Sequence, residues 1–476
     1  MTMHKVKRAD KISSALTPYQ RDGVDWLKKT KAGLLAYEPG VGKTLTTLAT
    51  IHELNLERIL VIAPASVCGV WPQEINKWLG EEYTATVLRG TPKARNKFYD
   101  MWRARDGDKN GFVIMSYETA RSDVNILKEI EWDAIVLDET IKIQTPTSKT
   151  VKAILKLTAP VRIALNGTPI SNGWSDIWAT FEWLEAGSLY GNFYTFRAIH
   201  AVMNPYVQGM ITGWRDTIKI KQRTEHLMKR VTKVEAIKDL PAMIEQTVPF
   251  ELSTVERKFY EGIKKNLVLT LPDESVPIEN ALVELVRLRQ TTNGLFHFPE
   301  LEESKSSKLE LAIELIGQVA GAGGKIIVFS SYKTTINELE QRCAKAFAKT
   351  GHTVRVITGD VPQELRTGYV EDFMGKPEVI ALLGTDAMAT GLNLQEASYV
   401  MNLDLPYSYA KYEQRIGRAW RMGQRNQVTV WNLEATGTVD ERIASILSKK
   451  VGTSNDFTGD EVRVGLSREE ISNLLT

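Results

Sequence analysis

Seven consecutive residues, Glu38-Pro39-Gly40-Val41-Gly42-Lys43-Thr44, carry the clearest chemistry in the chain. Glycines at 40 and 42 let the backbone turn its N–H groups inward around an anion, and a helix predicted to begin beside them adds the positive end of its dipole. Lys43 is placed to reach the β and γ phosphates of a nucleotide, and the Thr44 hydroxyl to hold Mg²⁺. The strict phosphate-loop pattern asks for glycine where Tyr37 stands, so the match is to a looser version. A plain glycine-rich turn is the bland alternative. Asp138-Glu139 is the second set. It follows a short apolar run, and a carboxylate at the end of a buried strand can hold Mg²⁺ while its neighbour orients or deprotonates a water. Alone, such a pair can equally be a helix cap. The third set is cationic. Arg418 and Arg421 are three apart, so on a helix they share a face and can stabilise charge on a transferring phosphoryl group; a solvated basic face is the alternative.

To act together, these groups need the edge of a layered sheet. Short apolar runs rich in β-branched residues supply one: Leu34–Ala36, Ile59–Ala63, Phe112–Met115, Ala134–Leu137 and Ile163–Leu165. The second half repeats the theme with Ile326–Ser330, Val354–Ile357, Val379–Leu383, Tyr399–Leu403 and Val428–Trp431. These runs do not alternate, as expected of strands buried on both faces of a parallel sheet. Helical patterns lie between them, for example Thr44–Leu54 and Lys149–Leu157. The expected class is therefore α/β with two lobes. Between the lobes, about Leu184 to Ser307, the chain is aromatic-rich and then charged and helical (Thr254–Lys265, Glu279–Gln290), which reads as helical insertions plus a linker. A last helix is predicted over Asp440–Lys450. The expected division is an ATP-binding lobe over 1–240 with an insertion about 185–240, a helical protrusion and linker over 241–307, a second lobe over 308–435, and a brace and tail over 436–476.

Composition narrows the class. In 476 residues, 60 Lys and Arg face 58 Asp and Glu, a net charge of +2. That excludes a polycation and an acidic tail protein, although a basic stripe can hide inside a neutral total. Two cysteines, Cys68 and Cys343, exclude a disulfide scaffold and a cysteine-based zinc site, and the six histidines lack ligand spacing. No apolar run approaches the roughly 18 residues of a membrane span. Met1–Lys11 is basic without an apolar core, unlike a signal peptide. The expected setting is cytoplasmic, with no membrane and no zinc.

The motifs also stand in one order: Gly40–Thr44, Asp138-Glu139, Leu165-Asn166-Gly167-Thr168-Pro169, then Gln414, Arg418 and Arg421. In this the chain resembles superfamily-two helicases, and more narrowly the Swi/Snf-like DNA-dependent ATPases, from about Leu16 to Lys450. Leu16–Gln20 resembles the group's adenine-reading element. Ala63-Pro64-Ala65-Ser66, continuing through Trp71 to Trp78, resembles motif Ia, and Ser116-Tyr117-Glu118 resembles motif Ib. Ile170-Ser171-Asn172 extends the Gly-Thr-Pro element as the family does. Lys229–Lys233, Asp239-Leu240-Pro241 and Leu288-Arg289-Gln290 follow the inter-lobe pattern. Thr385-Asp386-Ala387 through Thr390-Gly391 is similar to motif V, and Gln414–Gln424 to motif VI. The resemblance implies two tandem RecA-like lobes with parallel sheets, helical insertions between them and a C-terminal bracing helix. It implies ATP and Mg²⁺, with Tyr19, Gln20, Gly40, Val41, Gly42, Lys43, Thr44 and Gln414 on the nucleotide and Thr44 and Asp138 on the metal. Lys43, Asp138, Glu139, Arg418 and Arg421 take the catalytic roles. DNA, duplex or branched, is the implied partner, held mainly at its phosphates through Ser66, Ser116, Thr168 and Thr385.

Four positions depart from the pattern: Thr140-Ile141 stand where the group usually carries Ala-His, Trp420 replaces a usual His, and Asn166 a usual Thr. No reader, nuclease or zinc module accompanies the series. That compactness is similar to small phage and bacterial members, which are associated with fork remodelling and branch migration in DNA replication, recombination and repair. The first reading is thus an ATP-driven DNA translocase that remodels branched DNA. A strand-separating helicase is the second, with Tyr190–Arg223 as the place for a wedge. An ATP-gated DNA-binding scaffold with decayed hydrolysis is the third, on the strength of Thr140-Ile141. The basic cluster Lys219–Lys233 is read either as a DNA-facing stripe or as a solvated helix, and Trp178 as core.

Overall fold

The computed structural model describes residues 12–103, 110–171, 173–204, 211–237, 240–270, 278–301, 304–389 and 392–447. Met1–Lys11, Asn172, Asp239, Thr390, Gly391 and the tail from 448 lie outside the described residues. The described chain falls into two compact units, dividing after Lys238.

In the first unit seven strands form one sheet: β1 (Ala32–Tyr37), β2 (Arg58–Ala63), β3 (Tyr83–Val87), β4 (Asn110–Ser116), β5 (Ala134–Asp138), β6 (Val161–Leu165) and, after a small antiparallel hairpin of β7 (Ala201–Met203) and β8 (Ile211–Trp214), β9 (Met228–Val231). Their order is β3-β4-β2-β5-β6-β1-β9, and every neighbouring pair is parallel. Alternate residues serve opposite faces. Leu34, Leu60, Ile62, Val113 and Met115 enter one core; Leu35, Ile59, Val61, Phe112 and Ile114 enter the other. Packing on both faces is why these strands read as unbroken apolar runs.

The second unit repeats the plan with six parallel strands: β10 (Met243–Phe250), β11 (Ile326–Phe329), β12 (Thr353–Ile357), β13 (Val379–Gly384), β14 (Tyr399–Asn402) and β15 (Val428–Ala435), ordered β10-β15-β14-β11-β13-β12. The linking helices Thr254–Thr270 and Ile278–Asn293 belong to this unit. They are tied to a final helix over 439–447, where Thr292 Oγ1 donates to Asp440 Oδ1 at 3.0 Å and Val439 N donates to Tyr260 Oη at 2.8 Å; from the next helix, Ser307–Gly321, the fully buried Lys308 Nζ meets Asp440 Oδ2 at 2.8 Å.

The region read as helical insertions therefore also holds strands. It contributes the hairpin and an outer strand to each sheet, β9 and β10. Lys219–Lys233 divides: Lys219 and Arg223 are exposed on the helix Thr217–Thr224, and the later basic residues are tied into the first unit. Lys229 pairs with Asp22, Arg223 donates to Ser188 O at 2.6 Å, Arg230 pairs with Glu38, and Lys233 is buried. Trp174, Trp178 and Phe181 all lie in the core. Among the described residues, no helix is long and apolar enough to cross a membrane.

Candidate functional site

In a parallel α/β sheet, ligands are met at the carboxyl ends of the strands. In the first unit the phosphate loop leaves β1, the acidic pair ends β5, and Gly167-Thr168 leaves β6 between them. Gly40 (φ 92°) and Gly42 (φ 86°) adopt left-handed backbone that other residues enter only at a cost. A Cβ at Gly42 would also lie 2.1 Å from Gln20 Nε2. The helix Lys43–Glu53 starts at Gly42 with no side-chain cap, so its first N–H groups point outward for an anion. The buried hydroxyls of Thr46, Thr47 and Thr50 bond back to Gly42, Lys43 and Thr46 carbonyls, which lets a threonine-rich helix pack inside.

Tyr37, where the strict pattern wants glycine, is fully buried. Its hydroxyl donates to Tyr19 O at 3.3 Å and lies over Gly23, where a Cβ would come within 2.1 Å. Tyr19 and Gln20 hold the loop itself: Tyr19 Oη and Gln20 Nε2 donate to Val41 O at 3.0 and 3.2 Å, while Gln20 Oε1 accepts from Thr17 N at 3.0 Å. Lys43 Nζ donates to Tyr37 O at 2.8 Å and Glu38 O at 3.4 Å. A residue noted in the inter-lobe pattern but given no role there completes the cradle. Arg230, on β9 beside β1, donates to Ala36 O (3.0 Å), Gly167 O (2.9 Å) and Glu38 Oε1 (3.0 Å). Only the β9–β1 pairing makes this reach visible.

Asp138 ends β5 and is buried. Its Oδ2 accepts from Trp71 Nε1 at 2.9 Å, and its backbone carbonyl accepts from Tyr117 Oη at 2.9 Å. Burial, then the charge of Glu139, pushes its carboxyl well above the usual range; the Trp71 bond and the Lys43 charge act the other way. Lys43 and Asp138 thus share one electrostatic environment. Glu139 takes a left-handed conformation (φ 54°), an uncommon one for a non-glycine residue and one often found at functional sites. The donor set fits Mg²⁺: a buried carboxylate whose desolvation a cation would relieve, and a half-buried Thr44 at the helix start. Among the described residues, no group of three or more His, Cys, Asp and Glu forms a metal cage.

In the second unit Arg415 is fully buried at the centre of a polar network. It bonds Asp386 Oδ1 (2.9 Å), Asn402 Oδ1 (3.1 Å) and Asp404 O (2.8 Å). Asp404 also accepts from Ser330 Oγ (2.5 Å), Ser331 N (2.9 Å) and Arg289 (3.4 Å). The helix carrying Gln414 is Tyr409–Ile416, so it ends before Arg418. The two outer arginines therefore do not share a helix face; they converge instead on one carbonyl, with Arg418 Nη1 and Arg421 Nη1 at 3.0 and 3.4 Å from Leu392 O. Both, like Gln414, are half-buried.

The expected DNA contacts differ among themselves. Ser66 is exposed in the turn after β2. Ser116 caps the helix Tyr117–Leu127, accepting from Thr119 N at 3.2 Å. Thr168 is buried, its N–H on Asn166 Oδ1 at 3.0 Å. Thr385 is half-buried beyond β13, its N–H 3.3 Å from Ile357 O.

Two family models and several known proteins match the chain. The SNF2-related domain matches residues 19–297, and the helicase conserved C-terminal domain matches residues 307–423. The "Putative ATP-dependent helicase/translocase YwqA" of Bacillus subtilis is 28% identical over 99% of this chain and 52% of its own length. The DNA repair and recombination protein RAD54B of Mus musculus is 24% identical over 97% of this chain and 59% of its own. A solved Sulfolobus solfataricus SWI2/SNF2 ATPase core in complex with dsDNA shares 27% identity over 96% of each chain, with a TM-score of 0.44. The chain spans about half the length of the curated relatives it matches.

Proposed function

The chain belongs to the family of the SNF2-related domain, which covers more than half of it, and from that premise we propose that it is a DNA-dependent ATPase that moves along duplex DNA and remodels branched DNA. The observation that carries the reading is the grouping of Gly40–Thr44, Asp138-Glu139 and Gly167 on adjacent strand ends of one sheet. The likeness to a DNA repair and recombination protein supports branched DNA as the substrate.

In this mechanism the loop N–H groups and Lys43 hold the β and γ phosphates, and Lys43 exchanges its contacts with the carbonyls of Tyr37 and Glu38 for phosphate oxygens. Tyr19 and Gln20 fix the loop through Val41 O and face the base side of the nucleotide. Thr44 and Asp138 hold Mg²⁺, which supplies charge neutralisation at the phosphates when bound. Glu139 orients the attacking water and takes its proton. Arg418 and Arg421, with Gln414 beside them in sequence, supply positive charge to the γ-phosphoryl group. Phosphoryl transfer asks for little beyond such positioning and charge, and an arginine in this role is worth about 10³–10⁵ in rate. Ser66, Ser116, Thr168 and Thr385 are assigned to DNA phosphates, with Ser66 the most open of them.

Steady-state ATP hydrolysis by the wild type and Lys43→Ala, without nucleic acid and with single-stranded DNA, linear duplex, four-way junction or RNA, tests the reading. Stimulation by duplex or junction that Lys43→Ala abolishes is expected. Hydrolysis indifferent to every nucleic acid would overturn it. One observation favours a second reading, strand separation: the β7–β8 hairpin exposes Val202 and Met203, near the exposed Tyr194 and Ile199 in sequence. That reading requires release of a labelled strand from a forked duplex. The scaffold reading requires function to survive Glu139→Gln.

A further inference from the structure

Two aromatic side chains converge on Asp138 from two different loops. Trp71 ends the turn that leaves β2 and opens the helix Trp71–Leu79; its indole N–H donates to Asp138 Oδ2 at 2.9 Å. Tyr117 directly follows β4 and opens the helix Tyr117–Leu127; its hydroxyl donates to Asp138 O at 2.9 Å. Both rings are 1% exposed. The strands bring the loops together: β2 lies between β4 and β5, Ala63 is level with Ser116, and Ile62 with Leu137. One bond fixes the carboxylate, the other the peptide from which it hangs.

The same two loops carry Ser66 and Ser116. Ser116 is adjacent to Tyr117. Ser66 is joined to Trp71 by a tightly wound turn, in which Val67 N and Cys68 N both donate to Pro64 O at 2.8 and 3.1 Å, and Val70 N donates to Val67 O at 2.9 Å. Such a turn passes on a displacement at Ser66 instead of absorbing it. The segment after the acidic pair makes its side-chain link elsewhere, Gln144 Nε2 donating to Pro169 O at 3.1 Å and to Ser171 Oγ at 3.3 Å.

We propose that Trp71 and Tyr117 are positioning residues that transmit DNA engagement at the turns after β2 and β4 to Asp138. DNA seated on those turns holds both helix starts, and through the two hydrogen bonds the carboxylate is held at its metal-binding angle. This rests on the functional reading above, in which Asp138 holds the metal and Ser66 and Ser116 meet DNA.

The test is the stimulation factor, the ATPase rate with linear duplex divided by the rate without, for full-length wild type, Trp71→Phe and Tyr117→Phe. Tyr117→Phe keeps its ring and loses one hydroxyl, so it reports even if Trp71→Phe fails to fold. The expected result is a factor reduced about tenfold for Trp71→Phe, which loses a hydrogen bond to a carboxylate, and about two- to tenfold for Tyr117→Phe, which loses one to a peptide carbonyl, with duplex affinity by fluorescence anisotropy unchanged within about twofold. A merely structural role would lower both rates in parallel and leave the factor intact, which overturns the proposal, as does a loss of stimulation explained by weaker DNA binding. A wild type that duplex does not stimulate fails already in its own arm and overturns the functional reading together with this link.

Discussion

At the scale of single residues, Glu139 and Arg230 separate chemistry from support. Glu139→Gln keeps shape and removes the base, so kcat should fall about 10²–10⁴-fold while ATP affinity, measured with a fluorescent analogue, stays near that of the wild type. Arg230 touches no reacting atom. Its planar fork spans Ala36 O, Gly167 O and Glu38 Oε1 at once, and a lysine cannot satisfy all three in that geometry. Arg230→Lys should therefore raise KM for ATP by about tenfold or more, at roughly 1.5–3 kcal/mol for lost charged hydrogen bonds, with a smaller effect on kcat. The two variants should look unlike each other in a Michaelis analysis. The residues with chemistry were readable in the sequence because their types and order are constrained by phosphate and water. Arg230 and Trp71 stood there only as members of the family-like motifs, because nothing local in sequence says that one lies beside β1 and the other against Asp138.

At the scale of elements, three of the strands that went unread, apart from the β7–β8 hairpin, share one position. β3, β9 and β10 are outer strands of their sheets. They bury less, carry polar residues such as Thr84, Lys229 and Gln246, and in β10 include Pro249, which an edge tolerates. A search for runs apolar on both faces finds the middle of a sheet more readily than its rim, where only β12, with Val354, Val356 and Ile357, was read. Arg418 and Arg421 show the converse: the spacing suggested one helix face, yet the helix stops at Ile416 and the loop at Leu392 gathers them instead. Within the second unit, the network around Asp404 has a definite acid dependence. Burial alone would raise its carboxyl, but Arg289, Arg415 and the Ser330 and Ser331 bonds outweigh that and hold it below the usual range. A lowered folded-state value means its contribution is complete above the unfolded value of about 3.9 and is lost as pH falls through the folded one. Acid unfolding followed by circular dichroism should therefore lose this contribution below about pH 4. Asp404→Asn leaves Arg289 without its buried carboxylate, while Arg415 keeps the carbonyl of residue 404 and its pair with Asp386, and should cost about 3–5 kcal/mol at neutral pH. Its midpoint in urea should fall accordingly, and the acid transition should lose that component.

At the scale of the whole molecule, a net charge of +2 gives no general attraction to DNA, so binding must come from local phosphate contacts. Duplex affinity should fall by about 0.9 log units per log unit of salt for each neutralised phosphate; anisotropy titrations at several salt concentrations measure the slope, and a flat response would exclude phosphate-dominated binding. The two cysteines bear on how motion could be watched. Cys68 and Cys343, one in each unit, are both buried and free, and burial pushes their thiols up to about 11 and about 12. Thiolate is the reactive form, so neither native sulfur should compete for maleimide dyes at neutral pH. The wild-type background is thereby a silent one: a cysteine introduced on each unit's surface could carry a donor–acceptor pair, and ATP-driven changes in their separation could be followed on single molecules without first stripping either native thiol.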